Sequence, residues 1–365
     1  MRLAIDAREL SGQPTGVGRV LAGLLEAWPA DDALLLYARR PLPWRFLGGR
    51  RASRVVPGPA RLPGALWEQL VLPRLLREDR IDVLFSPAYG MPVSAPCPVV
   101  VGMHDCACEA TPQEFGWRER RRRQWVARRA CDRAAWLLTG SRFAANEIER
   151  WYGVPKPRIV VAPYGVEASF RDVDPERVAA VRRRYGLQQR TVLFVGAALD
   201  RRDLGAPAAA VAELRATRLD VDLCCVGPPP ASRPNGDPAP RHLGYVPEED
   251  LAALYAAATV VVYPSSYEGF GFPVLEALAC GTPVVASAAG SLPEVFAGRA
   301  VLIDGGAAEW SSALAALLDH SDERRRSVGE AQAWARRRDW GPAARLVRRL
   351  MVAARAAPAH TRGAA

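Results

Sequence analysis

The sequence predicts an α/β protein of two Rossmann-like domains, with their strand ends facing each other across a cleft. Three observations predict it. Short apolar runs rich in β-branched residues alternate with helical patterns along the whole chain. These runs are almost continuously apolar, as in parallel sheets covered by helices on both faces. The alternation also falls into two series, separated at Pro163-Tyr-Gly-Val166, where proline and glycine punctuate the chain.

In the first series the expected strands are Leu3–Asp6, Leu34–Tyr37, Val83–Ser86, Pro98–Gly102, Trp136–Thr139 and Ile159–Ala162. In the second they are Val192–Gly196, Val221–Gly227, Val260–Tyr263, Val284–Ser287 and Val301–Ile303. Helical patterns lie between them at Val17–Trp28, Leu66–Glu78, Arg142–Tyr152, Asp174–Tyr185 and Glu248–Ala257. The expected organisation is an N-terminal domain over 1–165 and a C-terminal domain over 166–340. A final helix over 341–356 would cross back to the first domain, followed by a disordered tail over 357–365. Segment 227–240 is too proline-rich for a helix.

At 365 residues and 49% hydrophobic content, the chain can bury two ordinary cores. No apolar run approaches the roughly 18–20 residues of a membrane span. Met1 leads directly into a strand with no leader pattern, so a cytoplasmic location is expected, possible also on the inner face of a membrane. The seven cysteines lack zinc spacing and read as buried thiols in a reducing compartment. Net charge is +10, with 25 basic and 16 acidic residues in 1–165 against 24 and 23 in the rest. Lys156 is the single lysine.

In open parallel sheets, ligands bind outside the carboxyl ends of the strands. The polar residues that directly follow strands are therefore the candidates. After the first strand, Gly16 and Gly18 sit where a strand turns into a helix, a place that suits an anion. After Pro98–Gly102 comes His104, able to donate to a substrate hydroxyl or to move a proton, with Asp105 placed to orient it. After Val192–Gly196 come Arg201 and Arg202, either a solvated pair or a clamp on a leaving diphosphate.

The most specific stretch runs from Tyr263 to Ser287. It contains Glu268, a loop of Gly269, Phe270 and Gly271, and then Glu276 on a helix opened by Pro273 and closed by Gly281 and Pro283. A carboxylate accepts two hydrogen bonds and so suits adjacent sugar hydroxyls. Loop amides suit phosphate or hydroxyl oxygens.

With these motifs in view, the chain resembles retaining glycosyltransferases of family 4, which have the GT-B fold. The likeness covers about residues 1–355. It runs through Asp6-Ala-Arg, Thr15-Gly-Val-Gly-Arg19, His104-Asp105, Thr139-Gly-Ser-Arg142 and Tyr152-Gly-Val-Pro155. It continues through Pro163-Tyr-Gly-Val166, Gly244-Tyr-Val-Pro247, the two-glutamate stretch and Ser291-Leu-Pro-Glu294. Mannosyl- and rhamnosyltransferases of polysaccharide assembly are the nearest in character.

The resemblance implies a hexose moved from a GDP-, UDP- or dTDP-sugar to a glycan, lipid-linked or natural-product acceptor. It implies no cofactor and no catalytic metal. Glu276 would bind the donor ribose, Glu268 the donor hexose, and the amides of Gly269 to Gly271 its oxygens. Arg201 and Arg202, with Gly16 and Gly18, would face the diphosphate. Val246 would lie near the base and His104 near the reacting carbon. Arg202 stands where the family usually has lysine, Ala197 where many members carry another basic residue, and segment 227–240 looks short.

Residues 117–136 carry eight arginines, two acids and three tryptophans. They read either as a docking helix for an anionic membrane surface or as a solvated face with its tryptophans turned inward. The sequence also leaves open a nucleotide-sugar epimerase of similar fold and a partner subunit with a degenerate site. A nucleic-acid-binding role is disfavoured, because no reading module or stacking motif is present.

Overall fold

A computed structural model of the chain describes residues 1–11, 15–29, 32–43, 46–47, 51–56, 62–197, 201–217, 220–228, 240–318 and 322–356. Most of the proline-rich segment 227–240 and the whole tail 357–365 lie outside the described residues. The chain divides into two compact units, Met1–Gly165 with Trp340–Ala365, and Val166–Asp339.

The first unit contains β1 (Leu3–Asp6), α1 (Gly16–Glu26), β2 (Leu34–Ala38), β3 (Arg51–Val55), α2 (Gly64–Leu70), α3 (Leu72–Glu78) and β4 (Val83–Ser86). It continues with β5 (Val99–Gly102), α4 (Ala107–Ala110), α5 (Trp117–Arg133), β6 (Trp136–Thr139), α6 (Arg142–Tyr152) and β7 (Ile159–Val161). All strands pair in parallel, in the order β3-β2-β1-β4-β5-β6-β7.

The second unit contains α7 (Pro175–Arg184), β8 (Arg190–Val195), α8 (Gly205–Ala216), β9 (Val221–Val226), β10 (Arg241–Gly244), α9 (Glu248–Ala257) and β11 (Val260–Tyr263). Then follow α10 (Phe272–Ala279), β12 (Val284–Ser287), α11 (Leu292–Phe296), β13 (Val301–Ile303), α12 (Ala307–Leu318) and α13 (Asp322–Arg336). This sheet is also parallel, in the order β10-β9-β8-β11-β12-β13. The last helix, α14 (Gly341–Ala356), packs in the first unit against β4, β5 and α1. Its buried face of Ala343, Ala344, Val347 and Met351 permits that close approach, and Arg348 bonds Asp32 at 2.6 and 3.0 Å.

Every strand expected from apolar runs is present. The two strands that the sequence pattern misses are β3 and β10, and each is the outer strand of its sheet. An edge strand is covered on fewer sides, so Arg51-Ala-Ser-Arg-Val and Arg241-His-Leu-Gly carry no continuous apolar run. The single helix expected over Leu66–Glu78 is two helices that meet at Val71. Pro73 lacks the N–H that would continue the ladder, and its ring crowds the preceding turn.

Helix caps follow the sequence closely. Thr15 Oγ1 accepts from Gly18 N–H at 2.9 Å, Ser141 Oγ from Ala144 N–H at 3.0 Å, and Gly153 closes α6 at φ 68°. All seven cysteines are free thiols; Cys97 and Cys108 are half-buried and the other five buried. Burial pushes the Cys131 thiol up to about 12, which keeps it protonated and unreactive. Among the described residues, no helix is long and apolar enough to cross a membrane.

In each sheet the strand order reverses once, between β1 and β4 and between β8 and β11. In doubly wound sheets, ligands bind at the loops that leave the carboxyl ends of such strands.

Candidate functional site

In the second unit, the loops after β8 and β11 are stitched together. Arg202 and Ser265 form an antiparallel bridge, and Ser266 N–H donates to the Arg201 carbonyl at 2.8 Å. This brings Arg202 to Glu268. Both Nε and Nη2 of Arg202 lie 2.8 Å from Glu268 Oε1. The same oxygen accepts from the Tyr263 hydroxyl at 2.8 Å and the Ser265 hydroxyl at 2.9 Å. The Arg202 guanidinium also covers the Tyr263 ring, 5.4 Å from its centroid. Burial, reinforced by Glu268, holds the Tyr263 hydroxyl well above its ordinary range, so it remains a donor.

The backbone of Glu268 is fixed from the far side. Its carbonyl accepts from Ser291 N–H at 3.0 Å. Gly290, at φ 61°, lies so close that a Cβ there would stand 2.7 Å from the Glu268 nitrogen. The segment Ser291-Leu-Pro-Glu294 therefore begins where the chain braces the glutamate loop.

Glu276 sits on α10, 3% exposed, with Oε2 accepting from the Tyr255 hydroxyl at 3.0 Å. Gly271 precedes α10 at φ 96°, and a Cβ there would meet Leu292 Cδ2 at 2.6 Å. The Phe270 ring is buried against Phe272 and Phe296, with centroids 4.9 and 6.2 Å away, so only its backbone is placed to meet a ligand. Val246 is 5% exposed, two residues beyond the end of β10.

In the first unit, β5 delivers His104. Its Nε2 lies 2.8 Å from the Pro87 carbonyl and its Nδ1 2.8 Å from the Tyr164 hydroxyl. A carbonyl only accepts, so Nε2 carries the proton and Nδ1 accepts from Tyr164. Burial lowers the His104 pKa below the ordinary histidine value. Asp105 does not orient the ring, contrary to the sequence expectation. Its carboxylate caps Ala107 N–H at 3.0 Å and takes the Tyr89 hydroxyl. The Asp105 side chain turns to the start of α4, two residues on, while that of its neighbour His104 faces the loop after β4.

The glycines after β1 separate in role. Gly16 opens α1, and a Cβ there would meet nothing within 4 Å. Gly18 instead faces the chain's own turn. Its N–H is committed to Thr15, and a Cβ would stand 2.8 Å from the Glu9 carbonyl oxygen. The close approach that requires glycine at 18 is therefore internal.

Several polar partners escaped sequence reasoning. Tyr255, Tyr263, Ser265 and Tyr164 bond the site residues through hydroxyls, and nothing in their spacing marks them. Arg8 donates to Asp6 at 2.5–3.0 Å, to the Gly64 carbonyl at 2.6 Å, and to Glu68. Asp6-Ala-Arg was visible as a motif, but Glu68 stands 60 positions away. Arg338 lies over the rings of Trp334 and Phe270, at 5.0 and 6.0 Å.

Comparison with known proteins places the chain. Residues 189–320 match the family model described as glycosyl transferases group 1, and residues 14–170 match that described as Glycosyltransferase Family 4. O-antigen chain mannosyltransferase B of Escherichia coli is 36% identical over 184 residues, 47% of this chain and 48% of that protein. A D-inositol 3-phosphate glycosyltransferase of Acidothermus cellulolyticus is 31% identical over 327 residues, 83% of this chain and 68% of that protein. For the first of these, as for most curated relatives it matches, the chain spans about half the relative's length.

Among solved structures, WaaG, a glycosyltransferase involved in lipopolysaccharide biosynthesis, superposes with a TM-score of 0.72 at 17% identity, covering 96% of this chain and 99% of that one. Anabaena Alr3699/HepE, solved with UDP and glucose, superposes with a TM-score of 0.73 at 19% identity, covering 96% and 99%. These two neighbours share the fold. By sequence and fold together, the chain belongs to the family 4 glycosyltransferases and has the GT-B fold.

Proposed function

We propose that this protein moves a hexose from a nucleoside-diphosphate sugar to an acceptor hydroxyl with retention at the anomeric carbon. The observation that carries the reading is the cluster at the switch point of the second unit. There Arg202 and Glu268 are held together by Tyr263 and Ser265, and Glu276 stands buried eight residues further on.

The proposed roles follow from the chemistry of each group. Arg202, Tyr263 and Ser265 all bond Glu268 Oε1, and its other oxygen, Oε2, takes a sugar hydroxyl in this reading. Arg201 and Arg202 supply positive charge for the leaving diphosphate, helped by the amides of Gly269, Phe270 and Gly271. Glu276 takes the ribose hydroxyls, and Val246 lines the base. His104 meets the transferred sugar as a neutral ring. The acceptor oxygen attacks from the face that the diphosphate leaves, so stabilisation of the departing phosphate is the largest protein contribution. The reading requires no cofactor and no metal.

Relatives named as mannosyltransferases support a mannose-type hexose. The test is a thermal-shift screen against GDP-, UDP- and dTDP-sugars, with product analysis for the best. A donor at 100 times its Kd stabilises by about 2.7 kcal/mol. No shift with any nucleotide sugar would overturn the reading.

The acceptor is proposed to be a glycan or a lipid-linked carrier on the inner face of a membrane. Helix α5 supports this, because its tryptophans do not turn inward. Trp117 is 67% and Trp125 51% exposed, two turns apart on one face. Arg118 and Arg129 lie over these rings at 5.1 and 5.7 Å, while Ala127, Ala130 and Cys131 form the buried side.

Near an anionic surface each arginine contributes about 1 kcal/mol, and interfacial tryptophans add burial. The protein is expected to sediment with phosphatidylglycerol vesicles at low salt and to be released by salt. Binding to pure phosphatidylcholine should be weak. Trp117→Ala with Trp125→Ala should reduce vesicle binding about tenfold or more, given roughly 1.5–3 kcal/mol per buried large apolar side chain. Equal sedimentation with both lipids would remove this surface from the proposal.

A further inference from the structure

The neighbours of His104 include a residue to which neither the motifs nor the relatives assign a role. Tyr164 is 1% exposed, and its hydroxyl lies 2.8 Å from His104 Nδ1. Its ring tilts against Trp340, with centroids 5.5 Å apart. Trp340 in turn fills the notch left by Gly23 on α1, where a Cβ would stand 2.2 Å from the indole. Tyr164 is the second-last residue before the chain leaves the first unit, and Trp340 is the first after it returns. Both passages of the chain thus contribute a ring to one stack, and that stack ends on the histidine.

The other side of the ring is equally fixed. Nε2–H donates to the Pro87 carbonyl, and a Cβ at Gly102 would stand 2.6 Å from that carbonyl oxygen and 3.1 Å from Nε2. Tyr89 meets the ring edge-on at 5.6 Å. The titratable groups facing His104 are therefore Tyr89, Tyr164 and the neighbouring Asp105, whose carboxylate is engaged elsewhere.

We infer that Tyr164 is a positioning residue, which with Pro87 holds His104 in the Nε2–H tautomer and in one ring orientation. Its hydroxyl donates to the Nδ1 lone pair of the neutral imidazole, and protonation at Nδ1 would require the hydroxyl to turn and accept instead. With Nε2–H on the Pro87 carbonyl and Nδ1 on Tyr164, both ring nitrogens are committed, which fixes the ring and leaves it no proton-transfer role. Because Tyr164 belongs to the segment Pro163-Tyr-Gly-Val166, a change in backbone angles there reaches the histidine directly. The inference rests on the proposed function only for what His104 does to substrate, not for how it is held.

The chain has four histidines, so each can be followed in a long-range ¹H–¹⁵N spectrum of labelled full-length protein. His104→Asn assigns the signal. In the wild type, His104 is expected to show Nε2 protonated and Nδ1 as acceptor, and to stay neutral well below the pH at which exposed histidines titrate. Removing the hydroxyl takes the donor away from Nδ1, so Tyr164→Phe should move the Nδ1 ¹⁵N shift toward that of a nitrogen without a hydrogen bond while the ring stack remains.

An Nδ1–H tautomer in the wild type would overturn the inference without any variant, even if Tyr164→Phe fails to fold. An unchanged Nδ1 shift in folded Tyr164→Phe would overturn it as well. With the nucleotide sugar that gives the largest thermal shift, Tyr164→Phe should lower kcat roughly 10- to 100-fold, with donor KM held, because a small misplacement next to the reacting centre costs about that much. Unaltered kcat beside the expected spectra would reduce Tyr164 to a structural role and sink the inference. A failed donor screen leaves the spectral test intact, so the two readings fail separately.

Discussion

Glu268→Ala is expected to lower turnover about 10²- to 10³-fold, the usual cost of removing one preorganised electrostatic partner from an active site. Donor affinity, read by thermal shift with the free nucleotide, should change little. The same variant should also lose stability. Arg202, Tyr263 and Ser265 all donate to Glu268 Oε1. Removing their acceptor leaves a largely buried cation and two hydroxyls without it, which costs about 3–5 kcal/mol for a buried ion pair broken on one side.

Glu268→Gln separates the two effects. It keeps an acceptor oxygen and removes the charge, so it should fold better than the alanine variant yet remain slow. Arg202→Lys keeps the charge but replaces two convergent N–H groups with one ammonium, and should also be slow. Glu268→Ala and Arg202→Ala share one interaction, so the double variant should lose much less than the sum. Full turnover in Glu268→Gln and Arg202→Lys would remove the pair from the chemistry.

Glu276→Ala is expected to act on binding instead. A hydrogen bond to a charged group contributes about 1.5–3 kcal/mol. Loss of a carboxylate that takes two ribose hydroxyls should therefore weaken donor binding about 100-fold or more, at roughly 1.4 kcal/mol per tenfold. The measurement is the donor-induced thermal shift, which should nearly vanish at concentrations that stabilise the wild type. Tyr255→Phe tests whether the carboxylate must be held. Its hydroxyl lies 3.0 Å from Oε2, and its loss should weaken binding by about tenfold at most, from a bond of roughly 1.5 kcal/mol. An undiminished shift in Glu276→Ala would place the ribose elsewhere.

These two glutamates show how far the sequence carries. Both lie in one stretch of 25 residues, with strand, glycine loop and proline-opened helix in order. Local rules recover each part, because caps, turns and apolar runs are decided by residues a few positions apart. The central strands were legible for the same reason, since burial on both faces demands an unbroken apolar run. Edge strands β3 and β10 were not, because half-exposed strands can be polar. The break at Val71 was legible in principle from Pro73, but continuous helical periodicity around it hid the break.

The partners of the site residues belong to another class. Sequence offered Asp105 for His104 because it is adjacent. The structure supplies Tyr164, 60 positions away, and Pro87, 17 positions away. Arg202 and Glu268 were separate suggestions, 66 positions apart, until the loops after β8 and β11 joined them on one oxygen. The sequence by itself determined the fold class, the order of most elements and the identity of the charged residues at strand ends. Only the tertiary structure decided which of those charges meet, which tautomer His104 adopts and which face α5 presents. Secondary structure is set by neighbours along the chain. A site is set by neighbours across a sheet, and parallel strands bring together residues that spacing cannot connect.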